Sequence, residues 1–148
     1  MNPFLLSREE RLTDWKALRT QLRSLDLEEA AQTVARYWAR APLMKCAYDA
    51  YRLETWPGPW EMVMAGDWCR DSVAVGMEFT LRLAGFSQDR LTLVMIKDYD
   101  VSDQMLCLKI DNEKLLNYSV AEVVDYPTTK HDIIFQYRFN GRGYSTYR

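Results

Sequence analysis

Apolar residues recur at helical spacing over the first half of the chain and at strand spacing over the second. Leu12, Trp15, Leu18 and Leu22 share one face of a helix expected over 7–23. Ser7 can cap it, and Glu10, three residues later, completes a capping box. A second helix starts near Asp26. Glu28 and Glu29 lie in its first turn, where negative charge suits the helix dipole, and Ala31, Val34, Ala35 and Trp38 form its apolar stripe. Pro42 interrupts that pattern, and 46–53 has no clear period. Two prolines and a glycine make 54–60 mostly irregular, with one short helical turn over 60–65.

The strongest helical signal covers 69–84. Val73, Met77, Leu81 and Ala84 lie on one face, and Val75, Phe79 and Leu83 on another. A helix apolar nearly all round is a covered, central helix. Gly85 is a natural stop. Beyond it the period becomes strand-like at 91–96, 105–110, 114–118, 133–139 and 144–147. Asp111-Asn112-Glu113 is a tight-turn composition that makes the second and third strands a hairpin, and Asn140-Gly141 turns the fourth into the fifth. The expected architecture is α+β: N-terminal helices and a central buried helix packed on an antiparallel sheet of about five strands. With 148 residues and no linker or repeat, the chain reads as one domain over 1–148, with 1–40 a helical extension packed on it.

Composition narrows the function. Hydrophobic residues at 48% and charged residues at 27% fit a globular domain and exclude disorder over the whole chain. No apolar run approaches the ~20 residues of a membrane helix. The net charge of -2 gives no electrostatic footprint for nucleic acid. Arg138, Arg142 and Arg148, interleaved with Tyr137, Tyr144 and Tyr147, are better read as an exposed sheet face than as an RNA-stacking surface. The N-terminal apolar stretch is cut short by Arg8, Glu9, Glu10 and Arg11, unlike a secretory signal, so a cytoplasmic protein is expected. Cys46, Cys69 and Cys107 are then expected as free thiols. With one distant histidine, His131, they form no zinc pair, and no cofactor is implied. Asp98, Asp100 and Asp103 lack the glycine and distal glutamate of a calcium loop and read as a solvated connection.

Cys69 carries the chemical question. It follows a glycine-containing loop and opens the central helix, where unpaired amides favour a thiolate and can stabilise an oxyanion. Alone, such a cysteine is more often a small buried hydrophobe. Its setting adds to the picture. Trp56-Pro57-Gly58-Pro59-Trp60-Glu61 precedes Gly66-Asp67-Trp68-Cys69-Arg70-Asp71. A helix ending at Gly85 follows, then Arg90-Leu91-Thr92-Leu93-Val94, and finally Tyr137-Arg138-Phe139-Asn140. In order and spacing this resembles the bacterial transglutaminase-like cysteine peptidases, a papain-like family, over about 37–144. The resemblance implies a nucleophilic cysteine at Cys69, a histidine opening the second strand and an acidic partner on the next.

The last two positions depart from the family. The histidine position reads Gln104 and the acidic position Asn117, so the triad becomes Cys69, Gln104 and Asn117. Glutamine cannot accept and return a proton near neutral pH. An amide at the third position is compatible with papain-like sites. Some relatives bind calcium through carboxylates flanking the cysteine; here Trp68 is inserted and Arg70 replaces a glutamate. His131 lies in a polar stretch before the fourth strand and reads as an exposed loop residue, or as a substitute base if that loop folds over Cys69. Trp56, Trp60 and Trp68 either line a cleft or plug the core. Two functions result. The first is a non-catalytic peptidase-like module that binds a protein partner or peptide, a scaffold such as a phage or prophage component. The second is an active thiol hydrolase or acyl transferase, with Cys69 as nucleophile, Gln104 donating to the oxyanion and Asn117 positioning it.

Overall fold

The computed structural model describes residues 1–45, 48–99, 103–126 and 131–147. Cys46, Asp100 and Arg148, singled out above, lie outside these residues, as does the side chain of Tyr147. Four helices run in the order α1 (Arg8–Leu22), α2 (Leu27–Trp38), α3 (Pro59–Ala65) and α4 (Arg70–Leu83). Six strands follow: β1 (Leu91–Asp98), β2 (Asp103–Ile110), β3 (Lys114–Leu116), β4 (Val123–Asp125), β5 (His131–Phe139) and β6 (Tyr144–Tyr147). They form one sheet in the order β4-β3-β2-β1-β5-β6, antiparallel throughout. The expected α+β class and the N-terminal helices, buried helix and antiparallel sheet are all present. The sequence missed β4, whose Val123 and Val124 are too short a run to signal a strand; pairing with β3 creates it.

The helix caps follow local chemistry. The Ser7 hydroxyl accepts from the Glu10 N–H at 3.3 Å, and Asp26 accepts from the Glu29 N–H at 2.8 Å. Gly66 at φ 82° and Gly85 at φ 109° end α3 and α4 in the left-handed region that favours glycine. In the three-residue connection between β2 and β3, Asp111 and Asn112 both take positive φ, and the Glu113 N–H donates to the Ile110 carbonyl at 2.9 Å to close the turn.

Side-chain alternation gives the sheet two different faces. Leu91, Leu93 and Met95 of β1 and Leu106, Leu108 and Ile110 of β2 join the main core beneath the helices. Val94, Ile96, Met105, Cys107 and Leu115 form a smaller cluster on the opposite face, covered in part by Tyr118, Val124 and Tyr126. The central helix α4 packs on β1 and β2 below it and on α1, α2 and α3 around it.

Polar contacts fix the helix layer in place. The Thr80 hydroxyl accepts from the indole N–H groups of both Trp15 and Trp38, each at 3.0 Å, and donates to the Gly76 carbonyl at 2.6 Å. A single buried oxygen thereby joins α1, α2 and α4. Thr80→Val keeps the shape and removes the acceptor, leaving two buried donors unpaired. At about 1–3 kcal/mol per buried unpaired donor, the expected loss is ~2–4 kcal/mol in urea unfolding. Thr80→Ser, which keeps the hydroxyl, is expected to lose less than half of that.

Candidate active site

A buried arginine holds the chain that leads to Cys69. Arg11 of α1 donates from Nε to the Val63 carbonyl at 2.6 Å and from Nη2 to the Met64 carbonyl at 2.9 Å. Its Nη1 reaches the Phe4 and Leu6 carbonyls at 3.4 and 3.2 Å. Val63 and Met64 lie in the last turn of α3, whose orphan carbonyls and negative dipole end suit a cation. The guanidinium also lies 4.9 Å from the Trp68 ring. Burial, with the neighbouring charge of Arg8, draws the Arg11 pKa down. Trp68 is itself buried and meets Phe4 edge-on at 4.8 Å.

Cys69 is the N-cap residue of α4, as the sequence placed it. Its N–H donates to the Ser72 hydroxyl at 2.8 Å, and that hydroxyl donates to the Cys69 carbonyl at 3.0 Å. The residue is buried. The expectation of free thiols fails here: Cys69 is disulfide-bonded, while Cys107 is free. Disulfide formation depends on how closely the fold brings two Cβ atoms together, which spacing along the chain does not encode. Burial pushes the Cys107 thiol up to about 12.

Asn117 lies beside the first turn of α4. Its φ of 70° ends β3, and its side chain then substitutes for the missing strand. Nδ2 donates to the Leu106 carbonyl of β2 at 2.9 Å and to the Arg70 carbonyl at 2.8 Å. Asp71 completes the exchange by accepting the Leu106 N–H at 3.3 Å. Burial raises the Asp71 carboxyl pKa, against the pull of that bond and of Arg70. Both hydrogens of the Asn117 amide are therefore engaged by backbone carbonyls.

Gln104 is exposed near the start of β2. Alternation with Leu106 and Leu108 puts it on the helix-bearing face of the sheet. Its Oε1 accepts from the Tyr51 hydroxyl, and Tyr51 packs on Phe135 at 4.8 Å. Sequence reasoning missed Tyr51 because it falls in a stretch without periodicity. It also left Asp71 without a role, although the residue stood in the quoted motif.

His131 is not a loop residue. It opens β5 opposite Asp98, two places from the Ile96–Ile133 pair. Ile96 belongs to the cluster on the far face of the sheet, and residues paired across strands share a face. The His131 ring lies 5.1 Å from Tyr126, which packs against that same cluster. A β-bulge between Met95 and Ile96 shifts this register, a feature that polarity along the chain does not reveal. Asp98 also departs from its expected solvated setting: it is buried at the end of β1 and accepts from the Tyr118 hydroxyl.

Two of the three loop tryptophans are structural. Trp56 is buried and donates to the Asp49 carbonyl at 2.8 Å, and Trp68 is packed as described. Trp60 is half exposed, its ring edge-on to Trp15 at 5.9 Å. The C-terminal aromatics are not a free stacking face either. Tyr137 is buried and donates to the Tyr51 carbonyl at 2.6 Å, and Tyr144 donates to Glu78 at 2.5 Å. No helix of the described residues is long and apolar enough to cross a membrane.

No family model matches the chain, and no curated protein matches it. Solved structures do. Calcium-bound LapG of Legionella pneumophila superposes with a TM-score of 0.75 at 16% identity, covering 95% of this chain and 80% of LapG. A second LapG structure gives 0.75 at 17% identity, covering 94% and 79%. EGTA-treated LapG gives the same score and identity, covering 94% and 77%. LapG is a bacterial cysteine protease with a papain-like, transglutaminase-like fold. At this identity the likeness is one of architecture: the chain has the papain-like, transglutaminase-like fold that LapG has.

Proposed function

We propose that this chain is a non-catalytic cysteine-peptidase-like module that binds a protein partner or peptide. The observation that carries the reading is the place of the single histidine. A thiol nucleophile needs a base within hydrogen-bond reach, and His131 lies on the sheet face turned away from α4. Gln104, where the family has its histidine, accepts a hydrogen bond from Tyr51 and has no proton to exchange near neutral pH.

LapG of Legionella pneumophila has been solved calcium-bound and EGTA-treated. The residues next to Cys69 do not suit such an ion. Asp71 is occupied by the Leu106 N–H, and the Arg70 cation follows the cysteine directly. Among the described residues no group of three or more His, Cys, Asp or Glu side chains stands ready to hold a metal.

A cytoplasmic setting, including a phage-encoded one, remains part of the proposal. Reducing surroundings would open the disulfide and expose Cys69 to the test that separates a module from an enzyme. The expected result, after mild reduction, is slow iodoacetamide labelling of Cys69 that rises only above pH ~8, as for an ordinary thiol. Cys107, whose thiol burial pushes up to about 12, stays unlabelled in the folded protein. Rapid labelling of Cys69 at pH 6, with peptide cleavage abolished by Cys69→Ala, would overturn the proposal. That outcome would favour an acyl-transfer enzyme whose thiolate is stabilised at the start of α4.

A further inference from the structure

Beside the candidate site lies an unassigned pocket of about 390 Å³, between α2, the first turns of α4 and the segment after β3. Trp38, Leu43, Val73, Met77 and Val120 give it apolar walls, and Arg70 is the one charged residue among the described residues that lines it. Its size lies at the lower end of the range for ligand sites, about 300–1,000 Å³, enough for one large apolar side chain and a small polar group. The apolar surface continues beyond the mouth. Leu43 and Met44 are each 58% exposed and Val120 is 82% exposed. Single exposed apolar residues need no explanation, but a pocket whose wall residues Leu43 and Val120 stand that exposed marks a binding surface.

Charge selects the occupant. The Arg70 guanidinium makes no ion pair with a carboxylate of the described residues; its one described hydrogen bond is to the Met105 sulfur at 3.3 Å, a weak acceptor. The nearest acid along the chain, Asp71, is turned to the Leu106 N–H. The Asn117 amide has spent both hydrogens on the Arg70 and Leu106 carbonyls. An apolar cavity with one cation at its wall is complementary to an apolar group that carries a carboxylate, and arginine is the side chain best shaped to grip one.

We propose that this pocket captures the carboxy-terminus of a peptide ending in a large apolar residue. The last side chain fills the space between Trp38, Val73 and Met77, the terminal carboxylate meets Arg70, and the preceding residues lie over Leu43, Met44 and Val120. The assignment rests on the peptide-binding reading above but makes no use of Cys69. Its failure would therefore leave the alkylation result untouched, and the reverse holds as well.

The test is titration of the full chain with acetyl-Gly-Ala-Leu as the free acid and as its carboxy-terminal amide, and with sodium octanoate. Methyl NMR signals of Leu43, Val73 and Val120 report on the pocket. The free acid is expected to shift these signals and to bind at least ~10-fold more tightly than the amide, as a charged hydrogen bond requires. Arg70→Met removes a side chain that is exposed and little bonded, so the fold is retained; it is expected to abolish the difference between acid and amide. Ala39→Phe, which fills the pocket, is expected to abolish binding of both. Equal binding of acid and amide, or no binding of either, overturns the proposal. So does octanoate binding in the pocket without the peptide, which would make the natural ligand a free apolar acid.

Discussion

Replacing Glu78 with alanine is expected to lower the free energy of unfolding by about 3–5 kcal/mol, the usual cost of leaving one charge of a buried pair alone. Glu78 lies near the centre of α4 and is only 1% exposed. Arg82, one turn on, donates to it from Nε at 3.0 Å, and the Tyr144 hydroxyl of β6 donates at 2.5 Å. The guanidinium in turn lies 3.5 Å from the Phe139 ring centre of β5. Burial raises the Glu78 carboxyl pKa, although Arg82 and Tyr144 pull it back. Burial also opposes the charge on Arg82, but the carboxylate outweighs that and raises its pKa. The two opposed desolvation costs are tolerable only while both partners are present. The cluster clamps the β5–β6 hairpin to α4, so urea unfolding of Glu78→Ala should be accompanied by faster amide exchange in β6. Replacing Glu78 and Arg82 together with leucine should recover most of the loss, because no isolated charge remains. A double variant as unstable as the single one would show that the pair contributes more than mutual neutralisation.

Arg11→Met is expected to cost about 3–4 kcal/mol, since it removes a charged donor from four carbonyls while keeping much of the apolar stem. The effect should be local in character. Arg11 ties Phe4 and Leu6, ahead of α1, to the end of α3, and the chain from Gly66 to Cys69 begins where that tie ends. Amide exchange over 63–69 should rise more than the global loss of stability explains. Arg11→Lys should recover less than half of the loss, because a single ammonium cannot span carbonyls from two segments as the planar fork does. If lysine restored full stability, charge alone would account for the role of Arg11 and the fork geometry would be irrelevant. If 63–69 exchanged no faster than the rest, Arg11 would be a general core residue rather than the anchor of the candidate site.

Much of the fold was legible because short-range chemistry and long-range packing agree. Ser7 and Asp26 cap where they must, Pro42 and Gly85 stop helices, and the all-round apolar pattern of α4 matches its central place. Asp111-Asn112 makes the turn its composition suggests. The motif around Cys69 was found for a similar reason: a glycine loop, a helix start and an apolar helix adjoin along the chain. The polar partners of the site were harder to place. Gln104 and Asn117 were named from an expected order of strands, but what they bond to depends on neighbours far away in sequence. Tyr51 occupies the Gln104 carbonyl, and the end of β3 turns the Asn117 amide onto two backbone carbonyls.

The sequence by itself determined the α+β class, the boundaries of the helices and of every strand but β4 to within a few residues, the position of Cys69 at the head of the buried helix, and the want of a histidine in strand β2. Tertiary structure alone decided which face of the sheet received His131, that Cys69 enters a disulfide, that Glu78 and Arg11 work as buried ions, and that Arg70 lines an apolar pocket. The physical reason is range. Capping, turn chemistry and periodicity act between residues a few positions apart, so the local sequence contains them. Strand register, a bulge in one pairing and the proximity of distant side chains arise only when the whole core closes.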